Sequence, residues 1–460
     1  MFIISLKMTK LFFRQKNIYL ILGVILFTHL FILSKLIFFP YPELFIYPYL
    51  TNQGLKPYAQ ILDQHFPGLM FLPVNFDNLG LNTIDSARIW SISIVIIIHI
   101  MLFIVSNEIF KSRHKAIFVN ILYLIWQPFF EGWILWIDSF LPILLLPAFY
   151  LFYKRHFFLT GLLLGTAIIF KQTIIPLSCF VWLYIFWMTR NLKTSFKFLI
   201  GVFIPFGLIA LYFISIGVFR DFWFWTVTFN LTTYAKSGRG AVPSLAHFTR
   251  VLLVFGVAFL VSKKINLKEV QILLIFLIGA LLGLTTRFDF VHFQPALPFA
   301  MLATVYVLVN LKEVWRLRFI GAYGLVMFWW LIIFYKGHLG NRIISFDPDT
   351  INLAAKIRNY TNDKEKIFIF GGAPHLYQMS KTLPAGDIFV FQFPWFLQVA
   401  QDRVLDGIKE DEPEIIVSDR SIEIEGVKIT DFAKNIDQYI NQNYQKIDSV
   451  GTADILRKRS

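Results

Sequence analysis

Long apolar runs separated by short polar connections constrain this chain more than any other feature of its sequence. A membrane-spanning helix needs about 20 mostly apolar residues. Eleven runs approach that length, at 18–39, 88–106, 116–134, 139–153, 157–170, 172–188, 196–216, 247–262, 269–285, 295–310 and 318–335. Soluble chains are rarely 57% hydrophobic and 18% aromatic with only 16% charged residues. The sequence therefore predicts a polytopic α-helical membrane bundle of about 11 spans.

The first run resembles a signal peptide only in the basic residues that precede it. The apolar stretch from Ile18 to Phe39 is longer than the core of a signal peptide, and no small-residue cleavage site follows it. We therefore expect an uncleaved first span.

The basic residues of the connections indicate the orientation of the spans. Lysine and arginine concentrate in cytoplasmic connections, so every second connection should be basic. Five alternate connections carry such clusters: Lys111, Arg113 and Lys115; Lys154 and Arg155; Arg190, Lys193 and Lys197; Lys263, Lys264 and Lys268; and Lys312, Arg316 and Arg318. The pattern predicts a multi-pass protein of the plasma membrane with a cytoplasmic N-terminus. One alternative stays open, because a single helix bent at Lys171 fits the hydropathy of 157–188 as well as two spans.

The composition changes after Gly337, where charged residues become frequent and runs of spanning length cease. This change predicts a transmembrane domain at 1–335 and a soluble extracytoplasmic domain at 336–460. Apolar periodicity predicts helices at 349–361, 374–380, 395–408 and 429–442, with strands at 366–370, 414–418 and a final pair within 445–457. Alternating strands and helices indicate a small α/β layer.

Charge and cysteine content exclude two classes of function. The net charge of +14 comes from short clusters between apolar runs, which membrane topology explains better than nucleic-acid binding does. The single cysteine, Cys179, excludes an intrachain disulfide and a zinc site built from several cysteines.

Ionisable residues near lipid are costly, so those at the predicted outer ends of the spans are the candidates for function. They are Glu43, Asp63 and His65 in the first outer loop, Asp138 and Lys171 in short connections, Lys236 and Arg239 in a later loop, and Arg287 and His292 before the tenth span. A carboxylate there could take a proton from an acceptor hydroxyl, while the basic groups compensate charge on a leaving phosphate.

Structural roles compete with this interpretation. Each of these groups taken singly is better explained by loop solvation or helix–helix hydrogen bonding, except Glu43 and Arg287, which abut the ends of spans. Asp138 could also pair with Lys171 in a purely structural role. No metal ligand is assigned, although a divalent metal at Glu43, Asp63 or His65 stays an open alternative.

Several short motifs resemble the GT-C superfamily of integral membrane glycosyltransferases, which includes the protein O-mannosyltransferases and the lipid A aminoarabinose transferase. The motifs are Pro42-Glu43, Gly54-x-x-Pro57-Tyr58, His65-x-Pro67, Phe170-Lys171-Gln172-Thr173 and Arg287-x-x-x-x-His292-x-x-Pro295-x-x-Pro298. The resemblance covers about 1–335. It implies a first-loop carboxylate as catalytic base, here Glu43, with Asp63 as a second carboxylate where the family's usual position holds Gln60.

The resemblance implies inverting transfer of a sugar, such as a hexose, from a polyprenyl-phosphate donor to a glycan, lipid or protein acceptor. Asp63 and His65 would position the acceptor or the sugar. Asp138 belongs to the same predicted site, in which Lys171, Arg287 and His292 would hold the phosphate. The loop with Lys236 and Arg239 would cover the donor. Two other classes remain: a ligase or polymerase of lipid-linked oligosaccharides, and a membrane transporter or flippase.

Overall fold

The computed structural model describes residues 17–237, 243–285, 287–340 and 342–459. They divide into two compact units. The helical unit contains the described residues of 17–38, 88–207 and 243–342, and the mixed unit contains those of 39–87, 208–237 and 343–459.

Each of the eleven predicted runs forms a helix. They are α1 (Ile18–Lys35), α2 (Ile84–Phe110), α3 (Arg113–Phe129), α4 (Ile137–Tyr153), α5 (Phe157–Phe170), α6 (Gln172–Thr189), α7 (Leu192–Ser215), α8 (Leu245–Lys264), α9 (Lys268–Leu281), α10 (Leu297–Asn310) and α11 (Glu313–His338). Within the described ranges, six helices have 18 or more residues and are apolar enough to cross a membrane: α1, α2, α6, α7, α8 and α11. The predicted polytopic helical membrane fold is confirmed.

The chain breaks at Lys171, between α5 and α6. Lys171 has an extended backbone, with φ −155° and ψ 117°, and a short 3-10 turn opens α6 directly after it. The segment 157–188 therefore forms two separate helices that meet at Lys171; whether each crosses the membrane stays a prediction.

Two glycines allow the backbone of α5 to contact the backbone of α7 directly. A Cβ atom on Gly161 would collide with the carbonyl oxygen of Phe198, and one on Gly165 would collide with that of Val202. Such small-xxx-small pairs are common where membrane helices pack, because lipid supplies no hydrophobic driving force between helices.

A buried polar network that was not predicted from the sequence joins α1, α2 and α3. The Nε2 atom of His29 lies 2.9 Å from Oε1 of Gln127, and its Nδ1 atom lies 2.8 Å from Nε2 of His99. The Nδ1 atom of His99 lies 2.7 Å from Oδ1 of Asn120. The four side chains are at most 4% exposed, so hydrogen bonds to one another replace those to water.

The C-terminal part of the mixed unit forms a five-stranded sheet with helices. The strands are β1 (Lys366–Phe370), β2 (Leu383–Pro384), β3 (Ile415–Ser418), β4 (Tyr444–Val450) and β5 (Ala453–Lys458), in the order β4-β5-β3-β1-β2. Both β2 and β3 are parallel to β1, whereas β5 is antiparallel to β3 and β4. The helices are α12 (Pro348–Tyr360), α13 (Leu376–Ser380), α14 (Pro394–Asp411), α15 (Ile429–Phe432) and α16 (Lys434–Asn443). The predicted helix at 429–442 is thus two helices, and an additional hairpin, Glu423–Ile424 with Val427–Lys428, precedes them.

The rest of the mixed unit consists of two earlier segments of the chain, 39–87 and 208–237. The first contains a helix, Glu43–Asn52, and a two-residue strand, Ile61–Leu62, that pairs in parallel with Phe389–Val390. The second contains a helix, Phe219–Trp223, that continues as a π-helix, Phe224–Tyr234.

Candidate active site

Glu43 is a buried carboxyl group at the start of the helix Glu43–Asn52, and the side chain is 8% exposed. Among the described residues, its Oε2 atom has no hydrogen-bond partner. Burial raises the pKa of Glu43 from 4.5 to about 7, an effect partly offset by the group's own backbone N–H and by His65. Near neutral pH this carboxyl can therefore both accept and release a proton.

Asp63 is the second carboxylate of this loop, and it is held in a different way. Its Oδ2 atom accepts a hydrogen bond from the hydroxyl of Tyr47, one turn after Glu43 on the same helix. Its Oδ1 atom accepts from the backbone N–H of His65 at 2.6 Å and lies 2.8 Å from the Nδ1 atom of the same residue. The side chain is 2% exposed. Asp63 thus has its oxygens occupied, whereas Glu43 retains one free, so their chemical roles differ.

The backbone around Asp63 is held from three directions. Ile61 and Leu62, which precede it, pair with Phe389 and Val390. The residue that follows it, Gln64, presents its carbonyl to the side-chain amide of Asn230 at 2.8 Å.

Tyr58 supplies the third support for this loop. It has a positive φ of 63° and donates its hydroxyl to the carbonyl of His65 at 2.8 Å. A non-glycine residue in this conformation carries strain that the surrounding structure must offset. The rings of Phe71, Phe213 and Phe222 lie 5.0–5.3 Å from the Tyr58 ring and enclose it.

Asp138, Lys171 and His292 meet in the helical unit. The ammonium group of Lys171 donates to Oδ2 of Asp138 at 2.6 Å, and the Nδ1 atom of His292 lies 3.0 Å from both of these atoms. Asp138 and Lys171 are 2% and 7% exposed. The pairing considered from the sequence is therefore present, and the carboxylate neutralises part of the charge that Lys171 would offer to a phosphate.

Arg250 is a basic residue that the sequence analysis missed, because it lies inside the apolar run of α8. Its guanidinium carbon is 3.6 Å from the ring centre of Phe290 and 4.3 Å from that of Phe129. Within the described part of the chain, its Nε and Nη2 atoms are buried without a hydrogen-bond partner. Arginine in an apolar run is itself a signal of function, and it could have been recognised from the sequence.

Glu131 and Arg287 lie in connections of the helical unit. Glu131 accepts a hydrogen bond from the backbone N–H of Val291 at 2.9 Å and attracts Arg250 electrostatically. Arg287 donates through Nε to Asp289 at 2.8 Å, and its side chain is 34% exposed.

The remaining candidates lie near the end of the second segment of the mixed unit. Lys236 is exposed just after the π-helix, and Arg239 lies outside the described residues. Over the described ranges, no three His, Cys, Asp or Glu side chains are grouped in a way that could hold a metal ion.

The fold is similar to that of solved membrane glycosyltransferases. ArnT from Cupriavidus metallidurans, solved bound to undecaprenyl phosphate, matches with a TM-score of 0.62 and 10% sequence identity over 96% of this chain and 98% of ArnT. The apo structure of the same protein matches over the same shares, with a TM-score of 0.63.

A second solved protein matches less closely. The archaeal oligosaccharyltransferase AglB from Archaeoglobus fulgidus, in complex with an inhibitory peptide and a dolichol-phosphate, gives a TM-score of 0.54 at 11% identity. The match covers 97% of this chain and 75% of AglB. No protein-family model and no curated protein matches the sequence. ArnT and AglB are both GT-C glycosyltransferases, so the chain has the GT-C fold that its short motifs predicted.

Proposed function

We propose that this protein transfers a sugar, such as a hexose, from a polyprenyl-phosphate donor to an acceptor hydroxyl on the extracytoplasmic side of the membrane. The proposal rests on the state of Glu43, whose buried carboxyl has an oxygen without a hydrogen-bond partner among the described residues and a pKa of about 7. The fold supports the class of donor, since its solved neighbours were determined with undecaprenyl phosphate and dolichol-phosphate.

Glu43 is the base in this proposal. Its free oxygen removes the proton of the acceptor hydroxyl, and the hydroxyl oxygen of the acceptor attacks the anomeric carbon of the sugar. The new carbon–oxygen bond forms as the bond to the phosphate oxygen breaks, so the configuration inverts and polyprenyl phosphate leaves. A general base works best when its pKa lies near the operating pH, as that of Glu43 does. Asp63 is the weaker candidate because both of its oxygens already accept hydrogen bonds.

Asp63 and His65 position the acceptor or the sugar. Their mutual bonds and the hydroxyl of Tyr47 keep both side chains in one orientation, so a ligand bound there loses little further freedom. Lys236 and Arg239 belong to the loop that we propose covers the donor.

The basic groups of the helical unit hold the phosphate. Arg250 offers unpaired N–H groups, and Arg287 is partly exposed, so both can donate to phosphate oxygens. Lys171 and His292 contribute less positive charge, because Asp138 lies within 3.0 Å of both.

We propose an orientation with the N-terminus in the cytoplasm and residues 336–460 outside the plasma membrane. The five basic clusters support it, since each falls in a connection that this orientation places inside.

Transfer of radiolabelled sugar tests the function. Purified protein would be incubated with a panel of polyprenyl-phosphate sugars and total membrane acceptors, beside Glu43→Gln and the control Asp85→Asn, an exposed carboxylate at the start of α2. We expect the wild type and the control to transfer the label. The transfer rate of Glu43→Gln should be lower by about 10²–10⁴, as for the loss of a general base. Folded wild-type protein that transfers no sugar from any donor would contradict the proposal.

A transporter or flippase is the second candidate, and one observation favours it. His29 and His99 are ionisable groups inside α1 and α2, where charges are costly and often belong to a transport pathway. Movement of a fluorescent polyprenyl-phosphate analogue across vesicles containing the protein, without sugar transfer, would favour this candidate.

A further inference from the structure

Asn230 lies on the π-helix Phe224–Tyr234 and reaches the loop that carries Asp63 and His65. Its side-chain amide donates a hydrogen bond to the carbonyl oxygen of Gln64, and the distance between the two atoms is 2.8 Å. The two residues are 166 positions apart in the chain, so the sequence alone does not indicate that they meet.

The peptide group between Gln64 and His65 is held at both of its polar ends. Its carbonyl oxygen accepts the bond from Asn230, and its N–H donates to Oδ1 of Asp63 at 2.6 Å. A peptide group is planar, so fixing the carbonyl also fixes the direction in which the N–H points. Asn230 therefore acts, through one rigid group, on the N–H that contacts Asp63.

The same bond also acts on the strength of the contact with Asp63. A carbonyl that accepts a hydrogen bond polarises its peptide group, and this polarisation strengthens the bond that the N–H donates. Hydrogen bonds from an N–H to a carboxylate are among the stronger ones in proteins. Loss of the amide donor of Asn230 should therefore loosen the arrangement of Asp63 and His65.

The amide of Asn230 is itself held in one orientation. Its Nδ2 atom also lies 2.9 Å from the carbonyl oxygen of Thr226, so its two N–H groups have separate acceptors. The preceding residue, Phe229, is buried, and its ring stacks on that of Phe396 with centroids 5.3 Å apart and an interplanar angle of 4°. The donor that binds Gln64 is therefore oriented before any substrate arrives.

The helix that carries Asn230 is unusual. Most π-helices are single-turn bulges, and such bulges are frequent at functional sites, whereas this one has 11 residues. Two consecutive residues of it contact distant parts of the mixed unit, since Phe229 packs on Phe396 and Asn230 binds Gln64. The π-helix thus places a packing residue beside a hydrogen-bonding residue, as a rigid support for the loop requires.

We propose that Asn230 is a positioning residue that holds the peptide group of Gln64 and His65, so that Asp63 and His65 present one fixed arrangement to the acceptor or the sugar. This role rests on the proposed function, in which Asp63 and His65 position one of the two substrates. Asn230 acts through these residues, so its loss weakens substrate binding and leaves proton removal by Glu43 in place.

Two variants remove the amide donor in different ways. Asn230→Asp keeps the shape of the side chain and places an oxygen where the amide donates, and Asn230→Leu keeps a similar size without any donor. Thr228→Val is the matched control, because Thr228 is an exposed residue of the same π-helix.

Two measurements on the full chain in nanodiscs test the role. The first is amide hydrogen exchange of the segment 61–66, which contains the N–H of His65. The second is the initial rate of sugar transfer, with the donor and the acceptor identified by the transfer assay varied in turn.

We expect exchange in 61–66 to be about tenfold faster in both Asn230 variants and unchanged in the control, as for the loss of one hydrogen bond. The KM for one of the two substrates should rise about tenfold, while kcat and the rise of the rate towards pH 7 stay close to those of the wild type.

Equal exchange in the wild type and both variants would overturn the proposal. So would a lower kcat with both KM values unchanged, because a loss of folded protein alone has that effect. A wild type that transfers sugar while the variants keep its KM values overturns the role of Asn230 alone. A wild type without transfer overturns the proposed function and the positioning role with it, even where exchange shows that Asn230 holds the loop.

Discussion

The pH dependence of sugar transfer gives the sharpest test of Glu43. Because burial raises the pKa of Glu43 to about 7, only about one molecule in a hundred carries the ionised base near pH 5. The rate should rise about tenfold per pH unit up to about pH 7 and then level off. A solvated glutamate would reach its plateau near pH 5.

The assay would follow initial rates of label transfer under saturating donor from about pH 5 to pH 8.5, a range that brackets the two possible plateaus. Glu43→Gln should leave a low residual rate without this rise. Asp63→Asn should lower the rate and keep the rise, because Glu43 still titrates. A flat profile in the wild type, or a rise that survives in Glu43→Gln, would refute the assignment of the base.

Protein stability offers a check on Glu43 that does not depend on activity. The pKa of Glu43 is about 7 in the folded protein and 4.5 for a solvated glutamate, so the folded state binds more protons than the unfolded state between these two values. Stability should therefore fall by about 3 kcal/mol as the pH rises from 4.5 to about 7. Thermal unfolding in nanodiscs should show this loss in the wild type and its absence in Glu43→Gln; equal slopes would mean that the carboxyl is not buried.

Three further predictions concern the fold. Lys171→Met should destabilise the protein by about 3–5 kcal/mol, because it leaves Asp138 buried without its cation; adding Asp138→Asn should restore part of the loss in thermal unfolding. Gly161→Leu should cost about 1–3 kcal/mol, because its Cβ would collide with a backbone carbonyl of α7, whereas Gly321→Leu, with open space around it, should change the melting temperature little. Burial lowers the pKa of His375 to about 4, so the folded state binds fewer protons than the unfolded state. Hydrogen-exchange protection across 343–459, taken relative to the intrinsic exchange rate at each pH, should therefore fall as the pH falls from 6.5 towards 4, by about 3 kcal/mol, and His375→Asn should remove this effect.

The helices of the membrane bundle could be predicted from the sequence alone. Lipid offers no partner for backbone polar groups, so an apolar run of sufficient length satisfies them within itself as a helix. The outcome depends on local residues only, which is why all eleven runs appear as helices. The resemblance of the loop motifs to the GT-C superfamily could likewise be recognised from the sequence, because each motif is short and contiguous.

The candidate site was only partly predictable. Residue type identified Glu43 and Asp63 as carboxylates near lipid, but their different states depend on burial and on contacts from distant residues. Lys171 meets a carboxylate 33 residues away and a histidine 121 residues away. Arg250 lies within an apolar run, and the lack of hydrogen-bond partners for its Nε and Nη2 atoms among the described residues becomes visible only once the aromatic rings around it are placed.

Local composition and the cost of placing charge in lipid are enough to predict the helices, their connections and the kinds of ionisable groups available. Which carboxyl keeps a free oxygen, which cation is neutralised, and which buried polar atoms lack partners among the described residues follow only from the three-dimensional arrangement. The physical reason is that desolvation and hydrogen bonding depend on atoms brought together from far along the chain, as when Tyr47 donates to Asp63 and Asn230 binds the adjoining backbone.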